Sequence, residues 1–213
     1  MITVQSFTFN EFQENTYVLF DETKECVIID PGCHRPSEQR ELVEFMHTNE
    51  LKPVKLLNTH CHIDHVLGNT FVVERFHLSL YMHEGELFTY NDTLRWTTLF
   101  GIPPLEIPEN KVFVTEKDTI TFGNSTLNIA HTPGHSKASI TFYNLEEKFA
   151  IAGDVLFMES IGRTDLPGGN YETLIQSIQT VLFSWPDDIR IYSGHGYPTT
   201  IGHERKFNPF LTP

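Results

Sequence analysis

The sequence predicts a mixed α/β (α+β) fold, and three observations lead to that prediction. Short apolar runs typical of strands occur from the start of the chain to its end, and segments with helical periodicity lie between several of them. At 213 residues with 39% hydrophobic content, the chain is large enough for one substantial core but short for two ordinary domains and a linker. We therefore expect one domain that spans residues 1–213.

The first half of the chain alternates between predicted strands and helices. The run from Val54 to Asn58 has the apolar character of a buried strand, and a cluster of histidines follows its C-terminal end. In chain order, the patterns predict strands at Thr3 to Thr8, Thr16 to Phe20 and Cys26 to Asp30, a helix at Ser37 to Thr48, the strand at Val54 to Asn58, a helix at Val66 to Phe76, a strand at Leu80 to His83 and a helix at Glu84 to Leu99.

The second half is richer in predicted strands and begins after a Pro-rich loop at Pro103 to Pro108. A single helix is expected, at Tyr171 to Leu182. The strands are expected at Thr119 to Phe122, Ser125 to Ala130, Ser139 to Tyr143, Lys148 to Ala152 and Ile189 to Ser193.

Three histidines and an aspartate lie within the segment Thr59-His60-Cys61-His62-Ile63-Asp64-His65. These side chains are more ligands than one metal ion needs, and they indicate a site for two metal ions. So short a segment does not surround a tetrahedral ion unaided, so further ligands are expected from distant loops. Three candidates stand in tight, Gly-bearing contexts: His135 in Thr-Pro-Gly-His-Ser, Asp154 in Ala-Gly-Asp-Val and His195 in Ser-Gly-His-Gly.

The ligand types narrow the choice of metal. Imidazole and carboxylate groups suit zinc, iron or manganese, whereas a purely structural zinc site favours thiolates. The three cysteines, Cys26, Cys33 and Cys61, form no Cys-x-x-Cys pair. Two divalent ions are therefore expected, with zinc as the default.

The local geometry of the cluster follows from its position between a strand and a helix. Because alternate side chains of an extended segment point in opposite directions, His60 and His62 can converge while Cys61 faces the interior. Asp64 and His65 precede the helix predicted at Val66 and are expected in its first turn.

The other histidines share no motif with a second type of ligand. Ordinary solvated or packing roles are expected for His34, His47, His77 and His203. The pair His83-Glu84 lacks a second histidine at helical spacing and is not a zincin motif. His131 lies four residues before His135 and is expected to support the ligands rather than to be one.

The pattern His-x-His-x-Asp-His, followed by the three single ligands, resembles that of the metallo-β-lactamase superfamily. Within the superfamily, the chain looks most like the short glyoxalase II-like (hydroxyacylglutathione hydrolase-like) hydrolases. The motifs that carry this second resemblance are Asn15-Thr16-Tyr17, Ile29-Asp30-Pro31-Gly32, Thr132-Pro133-Gly134-His135, Gly153-Asp154-Val155-Leu156-Phe157 and Ser160-Ile161-Gly162-Arg163-Thr164-Asp165.

The resemblance implies a four-layer αββα sandwich with two metal ions at one edge, between its two sheets. It assigns His60, His62 and His135 to the first metal. Asp64, His65 and His195 are assigned to the second metal, and Asp154 to a position that bridges both. A water shared by the metals would lose a proton and attack a carbonyl carbon, so the nucleophile is a metal-bound hydroxide, with Asp64 and Asp154 as the catalytic carboxylates. The sequence has no Gly-x-Ser-x-Gly motif for a serine nucleophile.

The expected substrate is an S-2-hydroxyacyl thioester such as S-lactoylglutathione. Full-length glyoxalase II enzymes carry a helical domain after the last ligand that supplies most glutathione contacts, whereas eighteen residues follow His195 here. The expected pocket is therefore more open, and the thiol is left undecided. Arg163 is a candidate contact for a substrate anion, and the alternative is a structural ion pair with Asp165.

Three other functions fit the sequence less well. Persulfide dioxygenases share the fold and the Gly-Arg-Thr-Asp loop, and hold one iron by residues that correspond to His60, His135 and Asp154. The segment Leu166-Pro167-Gly168-Gly169 is closer to the hydrolases. A β-lactamase is disfavoured because no elongated substrate-covering loop is evident. A non-enzymatic di-iron redox protein is disfavoured because its relatives carry an additional flavin-binding domain.

The charge and the N-terminus limit the partners. A formal net charge of −13 argues against binding of nucleic acid, which needs a basic face. The sequence does not begin with a basic segment followed by an apolar core, and no apolar run approaches the ~20 residues of a membrane span. An odd number of cysteines favours a reducing compartment. A cytoplasmic enzyme acting on a small molecule is therefore expected, away from membranes, with an undetermined oligomeric state.

Overall fold

Two six-stranded β-sheets form the centre of the fold. The computed structural model describes residues 1–97, 101–102 and 105–212. The first sheet has the strand order β1-β2-β3-β4-β5-β6. Its strands are β1 (Thr3–Phe9), β2 (Glu14–Phe20), β3 (Glu25–Ile29), β4 (Lys52–Leu57), β5 (Leu80–Met82) and β6 (Lys111–Phe113). Strands β1 to β3 pair antiparallel, and β3 to β6 pair parallel.

The second sheet is built from the rest of the chain. It contains β7 (Thr119–Phe122), β8 (Ser125–His131), β9 (Ile140–Asn144) and β10 (Phe149–Gly153). A small separate hairpin follows, formed by β11 (Leu156–Phe157) and β12 (Ser160–Ile161). Strands β13 (Arg190–Ser193) and β14 (Thr199–Thr200) complete the sheet, whose order is β14-β13-β10-β9-β8-β7.

In the part of the chain that the structure describes, six helices accompany the sheets. They are α1 (Pro36–Thr48), α2 (Ile63–Val66), α3 (Asn69–Phe76), α4 (Leu87–Trp96), α5 (Tyr171–Thr180) and α6 (Ile201–Phe207). Two 3₁₀ turns, Glu84–Glu86 and Leu182–Ser184, precede α4 and follow α5. Among the described residues, none of the helices combines the length and the apolar character that a bilayer crossing requires.

The alternation of side chains along the strands divides the core into three apolar clusters. In β2, Leu19 packs between the two sheets, and its neighbour Val18 packs on the other face, against α1 and α3. In β10, Ile151 faces the first sheet, whereas Ala150 faces α5. The clusters therefore separate four layers, helix, sheet, sheet and helix, as the αββα prediction requires. Burying an aliphatic side chain in such a cluster contributes about 1.5–3 kcal/mol.

The prediction of one helix at Val66 to Phe76 is wrong in one respect. The chain forms two helices here, α2 and α3, with a break at Gly68. The Gly68 N–H donates to the carbonyl oxygen of Pro31, 2.7 Å away. A Cβ atom at Gly68 would lie 2.7 Å from the same oxygen and 2.8 Å from the sulfur of Cys33. This close approach turns the chain between α2 and α3, so Asp64 and His65 lie in a separate short helix.

Other differences occur at the ends of elements and in very short ones. The helix predicted at Glu84 to Leu99 begins as a 3₁₀ turn, and α4 ends at Trp96. Leu99, and Pro103 in the predicted Pro-rich loop, lie outside the described residues. The predictions missed β6, the β11–β12 hairpin, β14 and α6. Most of these elements have only two or three residues, too few for a periodic pattern.

A buried aspartate joins the two sheets where β2 ends. Asp21, only 3% exposed, accepts hydrogen bonds from the Asn124 N–H (2.8 Å) and the Ser125 hydroxyl (2.7 Å) in the β7–β8 hairpin. It also accepts bonds from the N–H and the hydroxyl of Thr23. Burial opposes ionisation, but the hydrogen bonds from Thr23 and Ser125 outweigh it and hold the pKa of Asp21 at about 2.

We predict that Asp21→Asn lowers the free energy of unfolding at pH 7 by about 1–3 kcal/mol, since it weakens charge-assisted hydrogen bonds. The native pKa lies below the ordinary value of 3.8. The carboxylate therefore stabilises the fold fully above that value, and the stabilisation disappears as the pH falls toward 2.

Urea unfolding of the metal-free proteins between pH 7 and pH 2 measures this difference. Glu41→Gln, which removes one charge from the exposed face of α1, is the control and should unfold like the original protein. A difference between the Asp21 variant and the original that is as large at pH 2 as at pH 7 would contradict the assignment.

Candidate metal centre

The predicted ligands come together at one edge of the two sheets, where four strands end. The segment from His60 to His65 follows β4, His135 follows β8, Asp154 directly follows β10, and His195 follows β13. Each residue therefore stands in a loop that a rigid strand positions.

Three histidines converge to form a first group. The Nε2 atom of His135 lies 2.8 Å from Nδ1 of His62 and 3.2 Å from Nε2 of His60. His135 Nδ1 lies 2.8 Å from the carbonyl oxygen of Arg163. A carbonyl only accepts, so Nδ1 carries a proton, and Nε2 faces the other two rings. The group can hold a metal ion.

A second group lies beside the first and consists of Asp64, His65 and His195. The Nε2 atom of His195 is 3.1 Å from Oδ2 of Asp64. The same carboxylate oxygen lies 3.6 Å from Nε2 of His65. His195 Nδ1 lies 3.2 Å from the carbonyl oxygen of Gln13, which turns Nε2 toward the group in the same way.

Asp154 stands between the two groups. Its Oδ1 atom lies 3.4 Å from Nε2 of His65, and its Oδ2 atom lies 3.5 Å from Nε2 of both His135 and His195. Among the described residues, the buried atoms Oδ1 of Asp154 and Nε2 of His65 have no hydrogen-bond partner. Unpartnered buried donors and acceptors are rare, and cations satisfy such atoms, so the residues fit a metal centre.

The two groups differ electrostatically. Burial lowers the pKa of His60, and lowers that of His62 to about 3, which keeps both rings in the neutral form that binds metals. Burial also disfavours a charge on His65, but the carboxylates of Asp64 and Asp154 outweigh it and raise its pKa. For His195, hydrogen bonds to the same two carboxylates overcome burial and raise the pKa to about 10. The second group is thus the more strongly negative environment.

A buried carboxylate, to which the sequence reasoning assigned no role, contacts the histidine cluster. Asp30, 1% exposed, directly follows β3, has a φ of 49° and accepts a 2.7 Å hydrogen bond from the Thr59 N–H. Its other oxygen lies 3.2 Å from Nδ1 of His65, and the Thr59 hydroxyl lies 3.1 Å from Nδ1 of His60. Such outer contacts fix the orientation of ligating rings. The motif Ile29-Asp30-Pro31-Gly32 contained this residue, but its spacing did not reveal the role.

Glu86 is a second functional residue that the sequence reasoning missed. Its side chain is fully buried, and one oxygen accepts the N–H of Cys61, at 2.9 Å. The other oxygen accepts the Ser136 hydroxyl (2.7 Å) and the Ala138 N–H (2.8 Å). Since Cys61 lies between two histidines of the first group, and Ser136 follows the third, one carboxylate links both ligand loops. No local motif in the sequence signals this contact.

Glycine is required where the chain passes behind the cluster. A Cβ atom at Gly194 would lie 2.1 Å from Oδ1 of Asp154 and 2.6 Å from Cε1 of His65. Gly153 has a φ of 51°, and a Cβ atom there would lie 2.3 Å from the Thr59 hydroxyl. In two of the three Gly-bearing contexts noted in the sequence, those of Asp154 and His195, the glycine therefore allows the backbone to pass close to the ligands or to the residues that support them.

The remaining histidines and the cysteine have other surroundings. His34 contacts Glu11, and His203 contacts Glu159, as ordinary surface roles suggest. His131 stacks on the ring of His83, with centroids 4.9 Å apart, and its buried Nε2 has no hydrogen-bond partner among the described residues. His131, which the sequence predicts to support the ligands, instead forms a stacked pair with His83. Cys61 is buried and faces the interior, as predicted.

An open cleft of about 780 Å³ lies over the cluster. Five of the seven predicted ligands line it: His62, Asp64, His135, Asp154 and His195. Arg163 also lines the cleft, and its guanidinium donates two hydrogen bonds to Asp165, at 2.7 and 2.8 Å. The ion pair named as the alternative for this arginine is therefore present.

The comparisons with known proteins agree with this arrangement. The family model described as "Metallo-beta-lactamase superfamily" matches residues 9–195. A protein named hydroxyacylglutathione hydrolase GloC, from Haemophilus influenzae, is 38% identical over 203 residues, which cover 94% of this chain and 93% of the relative.

Three solved structures are similar over nearly the whole chain. BLEG-1, titled a B3 metallo-beta-lactamase, has a TM-score of 0.88 and 34% identity, and the match covers 99% of this chain and 100% of that one. TTHA1623 in a di-iron-bound form has a TM-score of 0.85 and 34% identity, with 98% and 100% covered. ETHE1 from Myxococcus xanthus has a TM-score of 0.78 and 25% identity, with 97% and 83% covered.

We predict that Glu86→Gln lowers the zinc affinity of the first group about 10- to 100-fold, because the amide N–H₂ faces backbone N–H or hydroxyl donors that need an acceptor. Chelator-competition titration measures the affinity, and circular dichroism checks the fold. Glu84→Gln, an exposed change two residues away, is the matched control. If Glu86→Gln fails to fold, Ser136→Ala removes a single bond of the link. Unchanged affinity in a folded Glu86 variant would refute the positioning role.

The shared position of Asp154 generates a second prediction. Asp154→Asn should lower the occupancy of both metals, whereas His195→Ala should mainly empty the second group. Elemental analysis after dialysis against a weak chelator measures both. Asp188→Asn, at an exposed ion pair with Lys148, is the control. Equal loss of both metals from the His195 variant would contradict the division into two groups.

Proposed function

The chain belongs to the metallo-beta-lactamase superfamily, and from that membership we propose that it is a metal-dependent, glyoxalase II-like hydrolase of S-2-hydroxyacyl thioesters. One observation carries the proposal: two groups of ligand side chains flank the carboxylate of Asp154 beneath an open cleft. The 38% identity to a protein named as a hydroxyacylglutathione hydrolase supports the thioester as substrate.

The proposed reaction adds water across the carbon–sulfur bond of the thioester. A carbon–oxygen bond forms at the carbonyl carbon, the carbon–sulfur bond breaks, and the sulfur leaves with the bonding electron pair and takes up a proton. The products are a carboxylic acid and a thiol. Divalent ions bound by the two groups supply Lewis-acid activation of water and of the substrate carbonyl group.

The side chains of this chain prepare the site for that reaction. We propose His60, His62 and His135 as ligands of the first ion, Asp64, His65 and His195 as ligands of the second, and Asp154 as a ligand of both. Since Asp64 and Asp154 both line the cleft, their carboxylates also act as the catalytic acceptors that orient water. Asp30 and Glu86 hold the ligand loops, so little reorganisation is needed when substrate enters.

Zinc is the proposed occupant, because three imidazoles, or two imidazoles and carboxylates, are ligand sets that zinc accepts. Iron is the alternative, supported by the di-iron-bound form of TTHA1623. A cytoplasmic location is proposed on the basis of the three cysteines, which are all buried with free thiols.

Two other activities have a specific observation behind them. BLEG-1 is described as a B3 metallo-beta-lactamase and matches this chain over almost its whole length, which favours β-lactam hydrolysis as a second candidate. ETHE1 is more distant, at 25% identity. A mononuclear iron persulfide dioxygenase is therefore the weaker candidate.

A paired measurement tests the proposal. Elemental analysis should find about two metal ions per chain, and the same protein should hydrolyse S-D-lactoylglutathione at a rate that falls at least 100-fold in Asp154→Asn. Oxygen uptake with glutathione persulfide and hydrolysis of nitrocefin are measured alongside and should be minor. About one iron with oxygen uptake would replace the hydrolase by the dioxygenase, and nitrocefin as the best substrate would replace it by the β-lactamase.

A further inference from the structure

The cleft is far larger than the acyl group of the proposed substrates. With the carbonyl carbon at the candidate metal centre, a group as small as lactoyl occupies only the floor of a cleft of about 780 Å³. Cavities of this size accommodate drug-sized molecules. Most of the cleft is therefore left for the thiol arm of the thioester.

That wall is apolar and is assembled from separate segments. Trp96 comes from the end of α4, Met158 from the turn of the β11–β12 hairpin, and Tyr197 from the loop after His195. Their exposed fractions are 41%, 46% and 80%. Large apolar side chains that are exposed together around one cleft mark a surface that binds an apolar group.

The charges of the wall do not suit an anionic thiol. Apart from the proposed ligands, the charged side chains that line the cleft among the described residues are Asp92 and Arg163. The guanidinium of Arg163 is engaged by both oxygens of Asp165. Asp92 accepts a 3.1 Å hydrogen bond from the indole N–H of Trp96, and its other oxygen lies 3.8 Å from Nη1 of Arg95.

The charge of the whole chain acts in the same direction. A formal net charge of −13 slows the approach of an anion unless local cations counteract it, and salt screens this effect. Glutathione carries two carboxylates and one ammonium group, so its thioesters are anionic.

We propose that the enzyme acts on thioesters whose thiol arm is uncharged and apolar, and that this arm packs on Trp96, Met158 and Tyr197. This inference rests on the proposed thioester hydrolysis and specifies its substrate class. Desolvation of the apolar wall provides the binding free energy, and Arg163, the one cationic side chain among the described lining residues beside the proposed ligands, is already paired with Asp165.

Three D-lactoyl thioesters test the proposal with the metal-loaded enzyme, since they share the acyl group and differ in the thiol. The thiols are benzylthiol, which is uncharged and apolar, N-acetylcysteamine, which is uncharged and polar, and glutathione. We expect kcat/KM to be about tenfold higher for the benzyl thioester than for the N-acetylcysteamine thioester, and lowest for glutathione. Higher salt should raise kcat/KM for the glutathione thioester alone.

Variants assign the preference to the wall. Trp96→Ala and Met158→Ala should each lower kcat/KM several-fold for the benzyl thioester and by a smaller factor for the N-acetylcysteamine thioester. Phe113→Ala removes a similarly exposed ring, 41% exposed in strand β6 and outside the cleft lining, and is the control. Asp165→Asn frees Arg163 and should raise kcat/KM for the glutathione thioester only.

The outcomes separate the two proposals. The expected order of substrates, reduced by the wall variants, supports the apolar thiol arm. Cleavage of the glutathione thioester as efficiently as the benzyl thioester would overturn the inference and leave thioester hydrolysis standing. Failure of the metal-loaded enzyme to cleave any of the three would overturn both.

Discussion

The geometry of the centre depends on two buried carboxylates that accept hydrogen bonds from the backbone of its histidine loop. Asp30 accepts the N–H of Thr59, and Glu86 accepts the N–H of Cys61. These two bonds flank His60 and fix where its ring points. Without them, the loop after β4 would have two unsatisfied backbone donors, and the positions of its three imidazoles would be less constrained.

Burial of these carboxylates is costly, and the surrounding hydrogen bonds offset the cost. An ionised carboxylate buried without partners is strongly destabilising. Glu86 has three donors, from Cys61, Ser136 and Ala138, so its charge is distributed over short bonds. Because those donors lie in both ligand loops, the residue can be satisfied only when the loops are correctly placed. The stability of the fold and the geometry of the centre are thereby coupled.

The architecture explains how ligands so far apart in sequence meet. Ligands follow four strands, β4, β8, β10 and β13, which all end at the same edge of the two sheets. The interior cluster of Leu19, Ile151 and their neighbours packs the two sheets against each other. At that edge, Gly153 and Gly194 let the backbone pass where a Cβ atom would collide with Thr59 and Asp154. The apolar wall of the cleft comes instead from segments that extend beyond the sheets, such as the β11–β12 hairpin. The same edge can therefore keep its chemistry while the wall determines which thiol fits.

Local patterns in the sequence were sufficient for the mixed α/β class and for naming the residues that gather at the centre, and the resemblance to a known family added the four-layer arrangement. Alternation in the strands and the compact segment from His60 to His65 are properties of neighbouring residues, which need no knowledge of the rest of the chain. Tertiary structure alone decided the break at Gly68, the roles of Asp30 and Glu86, and the pairing of Arg163 with Asp165 in the cleft. The first three depend on contacts between segments that are distant in the chain, where a hydrogen bond or a steric limit leaves no periodic signal. For Arg163, the sequence offered a substrate anion and Asp165 as partners, and the folded chain places the guanidinium against Asp165.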